Sequence, residues 1–543
     1  MKFSKLAQAY DKISKASGDA GKVPILADLF KRADDKTLEA LAHFTLGEAV
    51  SPQLSDRLGI GPGAIRDALA KISGDDPSEI EGRVKESGDM GEVAAEIVNG
   101  TDKLEVAELW KRINRVVERN EDRKQLVEHI FKNTTSAGAK YFARMVLNQM
   151  RIGVGEGTME RAIARAFKVD ADSVQRLYAM TNDIGIAARE AKKGERALAR
   201  ANPILFQPYQ FMNAQRVENA EEIFETFKDK QIIFDIKYDG VRLQIHIKSG
   251  RGGEIKLFSR RLNDDTASMP DVVEALKRSW KGKDAIIEGE AVAFDKSLKK
   301  KLPFQAVLMR RGRESEIEAK AKEIPLVLFV FDLLYDNGAS LMDVPQRERR
   351  ERLKKLFRET DRVRMTESIE SNRAEDEERF FKRALKEKQE GLMAKDPAAI
   401  YEPGKRTDHW LKLKPAFETL DVVVVGGIWG SGRRRGLLSS LVIAVRDKGE
   451  FKTVGKVGTG FSEEMLKELT AKLKSKIIAT RGLHVEIEPS MVIEVDFQGI
   501  QKTPRYSSGY ALRIPRFKRE RVDKSVREAD TLERLVRLYK QAH

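Results

Sequence analysis

The 543-residue chain has no cysteine, which excludes disulfides, thiolate catalysis and any zinc site built on thiolates. Histidine is almost as scarce. The six present are scattered, with no H-x-x-x-H pair, and this argues against a histidine-built metal centre. No run of about 18 apolar residues occurs, so nothing reads as a membrane span. The opening "MKFSKLAQAYDKI" reads as an amphipathic helix rather than a signal peptide. A cytosolic protein is the default expectation.

What is abundant is charge. Asp, Glu, Lys and Arg make up 34% of the chain, hydrophobic residues 41%, and the formal net charge is +15. A chain this long divides into two to four domains as a rule, and this composition supports real cores under an ionic surface. The basic balance favours polyanionic partners, nucleic acid first and an anionic membrane second.

Residues 1 to about 200 carry helical periodicity, with Phe3, Leu6, Tyr10 and Ile13 on one face. Two segments there resemble each other. "GIGPGAIRDALA" from Gly59 and "GVGEGTMERAIA" from Gly153 lie 94 residues apart and suggest a duplicated half-domain. Each is a glycine turn feeding a helix, which either holds phosphate on free N–H groups or simply joins two helices. "EAKKGERALARANPILFQP" then reads as a linker, and β-rich segments mixed with helices follow. Beyond "WLKLKP" come strands between glycine-rich turns, as in a small barrel, with the basic loop "GSGRRRG" at 430–436. A last helix, "DTLERLVRLYKQA", is expected to start on a capping box of Asp530 and Glu533.

The chemistry concentrates in the middle. In "IIFDIKYDGVRLQIHI", period two puts Ile233, Asp235 and Lys237 on one face and Phe234, Ile236 and Tyr238 on the other. Asp239-Gly240 is a strong hairpin signal, after which Val241, Leu243, Ile245 and Ile247 alternate with Arg242, Gln244, His246 and Lys248. Alone, Lys237 reads equally as an edge-strand lysine that blocks aggregation. Its sequel gives it meaning: "FSRR" with Arg260, "IIEGEAVAFD" with Glu288 and Glu290 placed to share a cation, then Phe331, Glu390, Arg406, Lys412 and Lys414. An amine, cations and carboxylates in this order suit nucleotidyl transfer. The amine must reach a phosphorus ringed by anionic oxygens, and the acids must hold a metal.

These motifs, with "RIGVGEGT", "KYDGVR", "FDLLY", "EGLMAKD", "WLKLK" and "SSGYALRIPRFKRERVDKS", resemble the covalent nucleotidyltransferase superfamily of polynucleotide ligases and capping enzymes. Among these the chain looks most like ATP-dependent DNA ligases of the archaeal and eukaryotic replicative type, over nearly its whole length. The resemblance implies an all-α DNA-binding domain at 1–203, an α+β adenylation domain at 204–415 and a β-barrel OB-fold at 416–543. It implies ATP, and Mg²⁺ with Mn²⁺ as a substitute. Nicked duplex DNA is the implied partner, with a sliding clamp as a further one the family allows. A monomer is implied, cytoplasmic in a prokaryote and associated with the nucleoid.

Residue by residue, Lys237 matches the adenylated nucleophile and Asp235 the acid at the adenine. Arg242 and Arg260 match contacts to the nucleotide and the nick 5′-phosphate. Glu290 and Glu390 match metal-associated acids, Glu290 also near the ribose, and Phe331 matches the ring stacked on adenine. Arg406, Lys412 and Lys414 match the triphosphate-facing cations, and Arg513 and Arg516 the arginines that orient pyrophosphate. Cations beside Lys237 (Arg242, Lys412, Lys414 and the metal) are expected to lower its pKa.

Three departures from the pattern stand out: "RIPR" for "RFPR", Gln498-Gly499 where acids are common, and "NPILFQPYQF" without a Pro-Met-Leu signature. Capping enzymes and RNA ligases are rival readings, disfavoured by the large helical N-terminal region. NAD-dependent ligases resemble a layout with a cysteine-rich zinc module. A catalytically dead scaffold would not need Lys237, Glu290, Glu390 and Lys412.

Overall fold

The computed structural model describes residues 1–250, 252–310, 315–415, 419–430 and 434–542. They form two compact units, Met1–Lys414 and Pro415–His543.

The first unit begins with helices that explain the repeat. One half comprises α1 (Phe3–Lys15), α2 (Gly18–Arg32), α3 (Asp35–Leu46), α4 (Pro62–Ser73), α5 (Pro77–Ser87) and α6 (Met90–Ile97). The other comprises α7 (Val106–Glu118), α8 (Arg123–Lys132), α9 (Ser136–Val146), α10 (Glu156–Phe167), α11 (Ala171–Thr181) and α12 (Ile184–Lys193). The helices α10, α11 and α12 each start 94 residues after α4, α5 and α6. Their caps recur as well. Gly61 and Gly155 open α4 and α10 without a side-chain cap, whereas Asp76 and Asp170, then Asp89 and Asp183, accept hydrogen bonds from the first turns that follow. The halves interlock, with α3 packed on α12 and α9 on α6. Each junction is closed by a buried cation on a capping aspartate: His43 of α3 on Asp183 at 3.1 Å, Arg144 of α9 on Asp89 at 2.6 Å.

After α13 (Glu195–Arg200) the segment read as a linker is docked. Gln210 donates its N–H to the Ala179 carbonyl at 2.7 Å, and Phe206 donates its N–H to His246 Nδ1 at 3.0 Å. Tyr209 and Met212 join the core of the helical region. The alternation after Gly240 therefore marks no solvent face. Gln244 and His246 are fully buried under this segment.

Two sheets follow. One runs β1 (Asn213–Val217), β11 (Arg406–Leu413), β10 (Gly391–Lys395), β2 (Ile232–Lys237), β9 (Ser368–Ser371), with α14 (Glu221–Phe227) between β1 and β2 in sequence. The other runs β4 (Glu254–Ser259), β3 (Val241–Lys248), β5 (Ala285–Ala293), β6 (Leu326–Asp336), β7 (Ala339–Ser340), with β8 (Val363–Met365) beside β6. The expected hairpin at Asp239-Gly240 does not exist: β2 and β3 belong to different sheets, and the turn carries the chain from one to the other. Gly240 is needed for a different reason, since a Cβ there would lie 2.4 Å from the Ala291 carbonyl oxygen of β5.

The second unit is a curled antiparallel sheet of β12 (Thr419–Trp429), β13 (Leu438–Asp447), β14 (Glu450–Val457), β15 (Ile477–Arg481), β16 (His484–Ile487), β17 (Val492–Asp496) and β20 (Arg516–Glu520). A separate pair, β18 (Gly499–Lys502) and β19 (Tyr510–Arg513), accompanies it. Its core is Leu, Val and Ile from β12, β13 and β17. Ser431, Gly432 and Arg433 of the expected basic loop lie outside the described residues. The final helix, Leu532–Ala542, is capped by Thr531, whose hydroxyl accepts from the Arg534 N–H at 3.2 Å. Asp530 is not the cap. Its carboxylate accepts the Asp421 N–H at 2.8 Å and pairs with Arg534 at 2.6 Å.

Candidate active site

The strand order of the first sheet assembles the site. β10 lies between β2 and β11 with Gly391 opposite Lys237, Met393 opposite Asp235 and Lys412, and Lys395 opposite Trp410. One sheet face therefore presents Asp235, Lys237, Lys395, Trp410 and Lys412 together. Close strand approach demands glycine at 391, where φ is +139° and a Cβ would fall 2.1 Å from the Leu413 carbonyl oxygen.

Lys237 forms an ion pair with Glu390, whose N–H donates to the Lys237 carbonyl at 2.9 Å. Lys414 reaches the same carboxylate at 3.1 Å. Burial works against the charge on Lys237, but Glu390 and Glu290 outweigh it and hold the ammonium above the ordinary lysine range. This corrects the expectation of a lowered pKa. The nearest charges are carboxylates, and the cations stand behind them. The depressed lysine is Lys412, brought down to about 8 by burial and then by Arg406, Lys237, Lys414 and Arg260. Glu290 is pushed up to about 7 by burial, against the pull of Lys237 and with the repulsion of Glu390.

Glu288 and Glu290 do not share a cation. Glu288 is fully buried, pairs with Arg242 at 2.6 Å and accepts hydrogen bonds from the hydroxyls of Tyr209 at 2.8 Å and Tyr401 at 2.6 Å. Arg242 also donates to the Met212 carbonyl at 2.9 Å. Its guanidinium lies over the rings of Phe211, Trp410 and Phe331, at 4.6, 5.3 and 5.7 Å. Phe331 is half-buried, edge-on to Trp410.

Asp235 is 2% exposed and bracketed by Arg350 at 3.0 Å and Lys395 at 2.7 Å. The Lys395 ammonium in turn sits 4.7 Å from the Phe331 ring and 4.4 Å from that of Trp410. Sequence reasoning passed over Lys395, although counting by twos from Gly391 would have put it on the site face. Arg350, within the charged run "QRERRERLKK", carries no such signal. Lys301 was also missed. It donates to the Lys388 carbonyl at 2.7 Å and to Gln389 Oε1 at 2.9 Å, tying down the turn that leads to Glu390.

At the rim, Arg260 donates to Asn213 Oδ1 at 3.0 Å and Arg406 to the Ala214 carbonyl at 3.0 Å. Both are exposed, so their remaining donors are open to a ligand. Arg513 and Arg516 belong to the second unit, on β19 and β20. There Gly499 pairs with Arg513 in the strand ladder, and a Cβ on Gly499 would reach only the Arg513 Cδ, at 4.0 Å. Between the two arginines Ile514 adopts φ +49°, an unusual conformation for a β-branched residue.

Among the described residues no group of three or more His, Asp or Glu side chains is placed to hold a metal ion. Glu290 and Glu390 nevertheless fit one. Two carboxyls crowd each other at a buried point beside Lys237, and a hard cation bound through one or two carboxylates plus substrate phosphates would relieve that repulsion.

Three family models match the chain: "DNA ligase N terminus" over residues 2–164, "ATP dependent DNA ligase domain" over 211–414 and "ATP dependent DNA ligase C terminal region" over 434–524. A DNA ligase of Thermococcus onnurineus is 40% identical, covering 99% of this chain and 98% of that protein. A DNA ligase of Archaeoglobus fulgidus is 38% identical over 99% of both chains. The solved structure named Pmar-Lig_PreS3 shares the fold, with a TM-score of 0.58 at 18% identity over 95% of this chain and 99% of that one. With the amine, acids and cations converging on one sheet face, these likenesses settle the matter: the chain belongs to the ATP-dependent DNA ligases, the enzymes that seal nicks in DNA at the expense of ATP.

Proposed function

We propose that Lys237 is the nucleophile that carries AMP. Its amine attacks the α-phosphorus of ATP, an N–P bond forms, the bond to the β-phosphate oxygen breaks, and pyrophosphate leaves as the nitrogen loses a proton. A 5′-phosphate oxygen at the nick then attacks the same phosphorus and releases the Lys237 amine. Finally the 3′-hydroxyl oxygen attacks the 5′-phosphorus, a phosphodiester forms and AMP departs. The observation that carries this reading is the Lys237–Glu390 ion pair with Lys414 on the same carboxylate and Lys412 on the same face.

Lys237 must lose its proton to react, and the resting contact with Glu390 opposes that. Glu390 must therefore turn away from Lys237 before attack. Glu290 and Glu390 would hold Mg²⁺, or Mn²⁺ in its place, which supplies charge neutralisation at the phosphates when bound. Arg260, Arg406, Lys412 and Lys414 neutralise phosphate oxygens. Asp235 and Phe331 receive the adenine, Asp235 as acceptor and Phe331 as a stacking face, while Arg242 braces the Phe331–Trp410 wall. Arg513 and Arg516 act on the departing pyrophosphate.

The functional division is a DNA-binding part at 1–203, an adenylation part at 204–415 and an OB-fold at 416–543. The chain works as a cytoplasmic monomer on nucleoid DNA, with a sliding clamp as a further partner. Incubation with ATP and Mg²⁺ should add one AMP to the tryptic peptide containing Lys237 and none to the Lys237→Arg chain. AMP mapped to another lysine would overturn the assignment.

A further inference from the structure

We propose that Thr459, Gly460 and Phe461 are positioning residues that aim Arg516 for the first step of the reaction, acting through the backbone on either side of that arginine. The inference rests on the reading of Arg516 as a group that meets the departing pyrophosphate. It starts from an unusual piece of backbone. Ile514 holds φ +49°, which crowds a β-branched side chain, and that side chain is 55% exposed, so burial does not hold it there. A turn of this kind persists only where its surroundings over-determine it, and such turns cluster at functional sites.

The turn is gripped on both sides of Ile514. Before it, Gln498 donates its N–H to the Arg513 carbonyl at 2.9 Å. After it, the Thr459 hydroxyl donates to the Pro515 carbonyl at 3.2 Å, and the Thr459 carbonyl accepts the Phe517 N–H at 2.9 Å. Thr459 thus bonds the residue before Arg516 and the residue after it. Phe461 adds a second hold by stacking on Phe517, with ring centroids 4.5 Å apart and 25° between the planes. Phe517 is buried and Arg516 exposed. Successive strand residues face opposite ways, so fixing the phenylalanine inward fixes the arginine outward.

Gly460 is what lets the two segments approach. Its φ is +91°, and a Cβ there would fall 2.3 Å from the Phe517 carbonyl oxygen and 2.8 Å from the Phe517 nitrogen. The strap is itself anchored at both ends. Val457 pairs with Leu441 in the sheet, and Ser462 caps the helix Glu463–Lys474 by accepting the Met465 N–H at 3.2 Å. The geometry of the sheet is thereby passed to the Cα of Arg516, where a long side chain magnifies any error. A misplacement of about 1 Å can cost about a hundredfold in rate.

The test is the single-turnover rate of lysyl–AMP formation, with the full chain, saturating radiolabelled ATP and Mg²⁺, set beside sealing of a pre-adenylated nick. Thr459→Val keeps the shape and removes the hydroxyl. It should slow the first assay roughly three- to tenfold, the worth of one neutral hydrogen bond, and leave the second near its normal rate. Thr459→Ser should restore the first. Gly460→Ala should slow the first assay further, and if that chain fails to fold the Thr459 pair still decides. In an Arg516→Ala background Thr459→Val should have no additional effect, because the group that it aims is gone. If Arg516→Ala alone slows both assays equally, the pyrophosphate reading falls and this proposal with it. If Arg516→Ala separates the assays, then equal losses in both for Thr459→Val, no loss in either, or an undiminished effect without Arg516 would each overturn the strap alone.

Discussion

Glu377 offers the sharpest test of the energetics. It lies on the helix Ala374–Lys386, is 3% exposed, and has a carboxyl oxygen without a hydrogen-bond partner among the described residues. Burial, reinforced by Glu378 and Glu221, pushes its pKa up to about 7 from an ordinary 4.5. Between those values the folded chain holds a proton that the unfolded chain has released. Stability from this group is therefore complete below pH about 4.5 and is lost as pH rises through about 7. The shift corresponds to roughly 3 kcal/mol, of which about 2 kcal/mol is lost between pH 5.5 and 8.5. Glu377→Gln removes the titration. In urea unfolding followed by fluorescence, the variant should gain on the wild type by about 2 kcal/mol over that interval, ending as the more stable chain at the alkaline side. Parallel pH profiles for the two chains would refute the reasoning, because they would mean that Glu377 is solvated or paired.

Two further perturbations address the helical region and the second unit. Burial pulls His43 down, but Asp183 and Glu48 together lift it to about 9, so its stabilisation is complete below pH about 6.5 and disappears as pH rises through about 9. His43→Gln should cost about 3 kcal/mol more at pH 6 than at pH 10, read as a narrowing difference in melting temperature, with any loss of packing on Trp110 the same at both. Arg516→Ala should slow formation of the lysyl–AMP adduct by orders of magnitude and leave sealing of a pre-adenylated nick near its normal rate, because charge on pyrophosphate develops only in the first step. Equal losses in the two assays would place Arg516 on DNA instead.

Much of the fold was legible because it rests on local periodicity. The helical face of Phe3, Leu6, Tyr10 and Ile13 is buried as read, and the glycine turns at Gly59 and Gly153 open equivalent helices. What the sequence could not show is which strands pair. Asp239-Gly240 has the composition of a hairpin, yet β2 pairs with β10 and β9 because Phe234 and Ile236 belong to the core of that sheet, whereas Val241, Leu243 and Ile245 belong to another. Likewise Gln244 and His246 look like a wet face by composition. Only the docked 204–212 segment, remote in the chain, makes them interior.

The same limit governs the site and explains which of its residues were misjudged. Types and order announced an amine, acids and cations, but each charge is set by a neighbour far away in sequence. Glu288 and Glu290 stand two residues apart on one strand and were expected to share a cation. Arg242 and two tyrosines neutralise one of them, while the other faces Glu390 across Lys237 and is left to take up a proton near neutrality. Lys237 was expected to be activated by surrounding cations. Instead Glu390 takes it first, and Lys412, on the strand at the other side of β10, is the lysine that burial and the cations depress. A lysine held charged by an acid that can also bind a metal couples two events. Any ligand that draws Glu390 away removes the largest of the groups that hold the ammonium, leaving Glu290 and Asp239 alone against the burial that favours the neutral amine. On the proposed mechanism, in which Lys237 is the nucleophile and Glu390 helps to hold a metal, the resting ion pair would keep the amine silent until metal and nucleotide have drawn Glu390 away.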